Sequence, residues 1–195
     1  MYVSSIGAHD RNNFAKANLR KDAPLTKWDA DASFYNRGKA ECERRLQAIL
    51  GEKLTSVRPG PIKGVRDDTP DVLTWLKRLQ KYHVVAAPGD GTSLLEVVDV
   101  KDVAEFLLLA VDRSLFGAFN LTGRPMSFRD FLNGCKSATH SDATQSACVL
   151  PRRTAHPWHR HLRAGLIQPG GVNHVSGTFC IGKPNAQLVA SALCS

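Results

Sequence analysis

Short β-prone runs alternate with amphipathic helical segments up to about residue 137, and this alternation confines the chain to few architectures. Tyr2 to Ile6 is β-prone, and Asn12 to Ala30 is polar and Pro-containing, hence a loop. Ser33 to Leu50 reads as a helix with apolar positions Phe34, Ala40, Leu46 and Ile49, stopped by Gly51. Lys53 to Val57 is a strand cut off by Pro59-Gly60-Pro61. Val72 to Tyr82 predicts a short helix after Pro70, and Val84 to Ala87 a strand ended by Pro88-Gly89-Asp90-Gly91. Leu94 to Val98 is again β-prone. Asp99 then caps a helix whose stripe is Val103, Phe106, Leu107, Ala110 and Val111, the spacing of a helix docked on a sheet. Ala118 to Leu121 is a strand, and Ser127 with Asp130 forms a capping box for a last helix. The pattern predicts an α/β layer fold with a mainly parallel sheet.

From about Asp142 this grammar stops. All 18 acidic residues lie at or before Asp142, whereas residues 143–195 hold Arg152, Arg153, Arg160, Arg163 and Lys183 and no acid. The tail therefore carries +5 of the net charge of +8, and the body is close to neutral. We divide the chain at this point, with a domain over residues 1–141 and a basic, Cys- and His-containing tail over 142–195 that is not expected to fold alone. Our hypothesis is that the break comes from an altered reading frame or a non-homologous splice. Comparing the coding DNA in three frames tests that idea: it fails if no other frame restores the earlier pattern.

The longest apolar stretch, Phe106 to Val111, is too short to span a bilayer. The opening MYVSSIGAHD has neither the basic nor the apolar region of a secretory signal, so a cytoplasmic location is expected. The five cysteines are odd in number and irregularly spaced, so free thiols are expected rather than a disulfide framework. Cys135, His140, Cys148, His156, His159 and His161 include zinc-competent residues, yet their spacing forms no finger pattern and no metal site is assigned. His156-Pro157-Trp158-His159-Arg160-His161, with Arg152 and Arg153, offers phosphate and stacking contacts. A basic end of this kind is more often merely solvated, and nucleic acid is not taken as the partner.

Tyr35 and Lys39 stand four apart on the first helix and so share one face. A free tyrosine titrates near about 10, and a neighbouring ammonium favours the phenolate, which makes the pair a usable acid/base. Val3-Ser4-Ser5 ends the first strand and supplies a hydroxyl for a substrate oxygen. Taken singly, the pair is an ordinary helix face and the serines are strand-end satisfaction of backbone groups. Their order is more specific when joined to Val57-Arg58-Pro59-Gly60-Pro61-Ile62 and Val98-Asp99-Val100-Lys101-Asp102-Val103-Ala104.

Over residues 1–137 this conjunction resembles the extended short-chain dehydrogenase/reductase family, of the NAD-dependent epimerase/dehydratase type. The resemblance implies a Rossmann-like, doubly wound sheet and hydride transfer between C–OH or C=O and NAD or NADP. It further implies that Ser5 orients the substrate and that Tyr35 is the general acid/base. Lys39 would assist Tyr35 and bind the nicotinamide ribose. Pro59, Gly60 and Ile62 would lie against the nicotinamide, and Asp99 and Asp102 would be structural.

Two departures refine the expectation. A Gly-rich pyrophosphate turn belongs ahead of Ser5 in this family, and none is there, so an incomplete, C-terminal portion of such a domain is expected. Many sugar-nucleotide members carry an Arg in the strand before Asp99. Here the stretch is Ser93-Leu94-Leu95-Glu96, which points to a smaller or more apolar carbonyl or alcohol substrate. Three readings follow: an NAD(P)-dependent oxidoreductase or epimerase, a non-catalytic relative, and a basic binding module acting through its tail. No membrane partner is expected, and the sequence leaves room for a homo-oligomer.

Overall fold

The computed structural model describes residues 1–10, 24–30, 32–67, 69–148 and 178–180. The tail segment His156–His161 and the cysteine Cys194 lie outside the described residues. The chain divides into two compact units. Among the described residues the first comprises 1–62, 97–124 and 178–180, and the second comprises 63–96 and 125–148.

The first unit is built on a parallel sheet. Its strands are β1 (Tyr2–Val3), β2 (Thr55–Pro59), β7 (Gly117–Thr122) and β10 (Thr178–Cys180), in the spatial order β1-β2-β7-β10. Val3 pairs with Val57, and Val57 with Phe119. All five residues of β2 are buried, as a central strand requires. Side chains alternate across it. Val57 joins Val98, Val103, Phe106, Ala110 and Leu121 in an apolar cluster that includes one face of helix α3 (Val100–Asp112). Arg58 instead turns toward helix α1 (Phe34–Leu50) and meets Glu43. Two-fold alternation along β2 thus gives the sheet one apolar face and one polar face.

Both helices begin as the sequence predicts. Ser33 Oγ accepts from Asn36 N–H at 3.2 Å, and Gly51, at φ +55°, ends α1 in the left-handed region that favours glycine. Asp99 Oδ1 accepts from Lys101 N–H at 2.8 Å and caps α3. Of the predicted apolar positions of α1, Ala40 is buried, but the two ends are corrected. Phe34 and Ile49 are 72% and 76% exposed, and the face against the sheet buries Ala40 and Glu43. A carboxylate can occupy that place because a guanidinium lies opposite it. In α3 the stripe holds at Val103, Phe106 and Ala110, but Val111 is 67% exposed. The expected strand to Ile6 is also shorter: after Val3 the chain turns into a 3₁₀ segment, Ile6–Ala8, because Ser5 caps it.

The second unit has a conventional apolar core. Helix α2 (Asp71–Lys81) and helix α4 (Phe128–Thr139) contribute Trp75, Leu76, Leu79, Phe128, Leu132 and Cys135, which pack with Val85, Ala87 and Ala143. Strand β4 (Val84–Pro88) pairs in parallel with β9 (Thr144–Cys148), which lies past the pattern break at Asp142. Strand β5 (Leu94–Leu95) pairs antiparallel with β8 (Met126–Ser127). Ser127 Oγ accepts from Asp130 N–H at 3.0 Å, and its hydroxyl lies 2.6 Å from Asp130 Oδ2, closing the capping box. The remaining two-residue strands are β3 (Ile62–Lys63) and β6 (Val98–Asp99). Among the described residues no helix is long and apolar enough to cross a membrane.

Candidate active site

Tyr35 and Lys39 lie in the first two turns of α1, Ser5 lies two residues past β1, and Pro59 and Gly60 stand at the end of β2. Tyr35 is the second residue of α1 and is 59% exposed. Lys39 follows one turn later on the same side, its Nζ 5.6 Å from the centre of the Tyr35 ring. The ammonium also lies 5.2 Å from the centre of the Tyr2 ring and donates to the Val3 carbonyl at 2.9 Å. One hydrogen bond leaves two of its three protons for other acceptors.

Ser5 enters from the other side of the α1 terminus. Its Oγ accepts from Gly7 N–H at 3.1 Å, which caps Ile6–Ala8 and leaves the hydroxyl proton to donate. Gly7 packs so closely on α1 that a Cβ there would collide with the Asn36 side chain. This contact brings the Ser5 segment against the first turn of the helix that carries Tyr35. Pro59 and Gly60 are buried at the end of β2. The Gly60 N–H donates to the Leu121 carbonyl at 2.9 Å, and the Pro61 carbonyl accepts from Val98 N–H at 3.0 Å. Strand β7 and Val98 therefore anchor this loop, and the Gly60 amide is already spent. Ile62 remains half-buried beside the Val57 cluster.

Beneath these residues lies a buried polar network that the sequence reading missed. Glu43 accepts from Arg58 Nε at 3.0 Å on each oxygen, and from Arg58 Nη2 at 2.7 Å on Oε2. Ser4 Oγ–H donates to Glu43 Oε1. His9 Nε2 stands 3.3 Å from Arg58 Nη1 and 3.0 Å from Asn120 Oδ1. The guanidinium can only donate, so this nitrogen accepts from Arg58 in one tautomer and donates toward Asn120 in the other. The Thr26 hydroxyl donates to the His9 carbonyl at 2.8 Å. Ser4, Glu43, Arg58, His9 and Asn120 are each at most 5% exposed, so the ion pair is shielded from solvent. One network thereby ties β1, α1, β2 and β7 into fixed register under Ser5, Tyr35 and Lys39. The signals for it were present: Glu43 continues the four-residue spacing of Tyr35 and Lys39, and Arg58 is a charge inside an otherwise buried strand.

A cavity of about 250 Å³ borders this network, its lining including Glu43 and Arg58 together with Arg44, Gln47, Leu54 and Ser56. Gln47 is three turns beyond Tyr35, about 18 Å along α1 at the usual helical rise. Of the zinc-competent residues, Cys135 is buried in the second unit's core, where burial pushes its thiol up to about 12. Among the described residues no group of three or more metal-competent side chains is found.

The fold is similar to that of several sugar-nucleotide epimerases and reductases of known structure. Over 99% of its length the chain superposes on UDP-N-acetylglucosamine 4-epimerase from Bacillus cereus with a TM-score of 0.62 at 14% identity, covering 63% of that protein. For a UDP-glucose 4-epimerase from Thermus thermophilus in complex with NAD, the TM-score is 0.57 at 20% identity, with 98% of this chain and 63% of that one covered. For dTDP-4-dehydrorhamnose reductase from Bacillus anthracis in complex with NADP, it is 0.57 at 13% identity, with 80% and 53% covered. The chain thus spans less than two thirds of the length of these structures. No protein-family model matches the sequence, and no curated protein matches it. At these identities the likeness defines the Rossmann-like α/β architecture.

Proposed function

We propose that the chain carries the proton-transfer and ribose-binding part of an NAD(P)-dependent oxidoreductase or epimerase site, acting at a C–OH or C=O of a small substrate. The observation that carries this reading is the Lys39 ammonium beside the exposed Tyr35 ring, at the helix terminus where Ser5 presents a free hydroxyl proton. Ser5 Oγ–H donates to the substrate oxygen. Tyr35 Oη takes the proton from a substrate hydroxyl, or returns it to a carbonyl in the reverse direction. Lys39 supplies positive charge beside Tyr35 and uses its remaining donors on ribose hydroxyls. A nicotinamide group, when bound, supplies or accepts the hydride. Pro59, Gly60 and Ile62 form the wall against which it would rest.

The half-exposed Tyr35 and the uncommitted protons of Lys39 fit a ribose. The fold likeness to structures holding NAD and NADP supports either cofactor. The stretch Ser93-Leu94-Leu95-Glu96 lacks the Arg that many sugar-nucleotide members of the resembled family carry before Asp99, and this favours a smaller or more apolar substrate. A cytoplasmic setting suits the odd number of thiols.

A second reading, a non-catalytic relative of such enzymes, is favoured by one contact. Lys39 Nζ is bound to the Val3 carbonyl rather than to the Tyr35 oxygen. The two readings separate in an assay of the full chain for reduced-nicotinamide formation from a panel of small alcohols. Turnover that disappears in Tyr35→Phe supports catalysis. No turnover with any alcohol and either cofactor leaves the non-catalytic reading.

A further inference from the structure

We infer that Tyr2 is a positioning residue for Lys39, its ring forming one wall of an aromatic slot that holds the ammonium beside Tyr35. The inference deepens the reading of Tyr35 and Lys39 as the acid/base pair and rests on it. Lys39 Nζ lies 5.2 Å from the Tyr2 ring centre and 5.6 Å from that of Tyr35, so two aromatic rings flank one cation. Both distances are within the range of a cation–π attraction. The Val3 carbonyl, one residue along the same strand, closes the slot at 2.9 Å.

Strand β1 fixes this wall, because Tyr2 pairs with Ser56 and Val3 with Val57. The groups facing Tyr2 are Cys42, Glu43 and Tyr35 from α1, besides Lys39. Burial, then the hydrogen bond with the Cys42 thiol, then the nearby Cys42, Glu43 and Tyr35 charges raise the Tyr2 phenol well above its ordinary range. Tyr2 therefore stays neutral and presents a ring face rather than an anion. A long lysine side chain on a helix surface samples many rotamers, each hydrogen bond or ring contact removing some of them. The Tyr2 ring and the Val3 carbonyl together select the rotamer that keeps Nζ at the Tyr35 ring.

The test is trace acylation of the folded full chain with acetic anhydride, with Lys39 and the exposed Lys77 quantified by mass spectrometry. A held nitrogen attacks less often than a free one. Lys39 is expected to react more slowly than Lys77, Tyr2→Phe to keep the Lys39 rate, and Tyr2→Leu to raise it about two- to fivefold. An unchanged Lys39 rate in Tyr2→Leu overturns the inference, and so does a Tyr2→Phe rate as high as that of Tyr2→Leu. Should Tyr2→Leu not fold, equal rates for Lys39 and Lys77 in the unsubstituted chain overturn it as well. The readout needs no cofactor. A chain that binds neither NAD nor NADP yet shows this labelling pattern loses the nicotinamide reading and keeps the aromatic slot.

Discussion

The two units bury different chemistry. In the second, Trp75, Leu76, Leu79, Val85, Leu132 and their neighbours form an apolar core, and the buried Lys63 pairs with Asp67 and Asp71 at 3.2 and 3.0 Å. In the first, the sheet face toward α1 is filled by Ser4, His9, Glu43, Arg58 and Asn120, and only the opposite face is apolar. Apolar packing is tolerant of exchange so long as volume is kept. A buried ion pair is not, since removing one member strands the other. The first unit thus has a stricter register than its apolar content requires, and the register is set directly beneath Ser5, Tyr35 and Lys39. Fixed placement is what the proposed proton transfer needs.

The comparison breaks most sharply at Arg58. Arg58→Ala should cost about 3–5 kcal/mol by leaving the Glu43 carboxylate buried and unpaired. Hydrogen exchange followed by mass spectrometry should show protection lost in β1, α1, β2 and β7. The double replacement Glu43→Leu with Arg58→Met should recover most of that loss, because no charge is then stranded. Failure of the double variant to recover would mean that His9, Ser4 and Asn120 need the charges themselves.

Leu132→Ala tests the other side and should cost about 2–5 kcal/mol through a cavity in the second unit. Exchange should rise in α2, α4 and β4. A smaller step is Ser127→Ala, which removes the α4 cap and should cost about 1 kcal/mol, read from the urea midpoint. The Cys135 thiol gives a pH-dependent contrast. Its folded value is raised from 9.0 to about 12 by burial, so its contribution is complete below pH 9 and is lost as pH rises toward 12. Melting at pH 10 should therefore fall further below its pH 7 value in the natural chain than in Cys135→Ala. Tyr35→Phe should have the least effect on stability, within about 0.5 kcal/mol, because the side chain is largely exposed.

How much of this was legible in the sequence follows the same division. The second unit's helices are amphipathic in the ordinary sense, and Ser127-Asp130 announced the start of α4. The α3 stripe was read correctly at Val103, Phe106 and Ala110 but overextended to Val111, because periodicity does not tell where a helix outruns its sheet. In α1, apolar spacing points to Phe34, Ala40, Leu46 and Ile49; Ala40 is buried as expected, whereas Phe34 and Ile49 are exposed. The face that packs is defined by Ala40 and Glu43, and a lone carboxylate carries no apolar signal. Its partner Arg58 lies 15 residues away and is brought opposite it only by the turn through Gly51 and the pairing of β2. Tyr35 and Lys39 needed only helix geometry to be paired. Ser5 could be put at a strand end, but its role as the cap of Ile6–Ala8 depends on a turn that the β-prone composition hid.

Tyr35 and Lys39 are proposed to form a nicotinamide-ribose site in the first unit. The most direct measurement is a thermal melt of the purified full chain with and without millimolar NAD⁺ and NADP⁺, repeated on Lys39→Met. A ligand that binds only the native state must raise the melting temperature. The expected result is a cooperative melt that moves upward with one of the two cofactors and no longer moves in Lys39→Met. A melt unmoved by either cofactor, or moved equally in Lys39→Met, contradicts it.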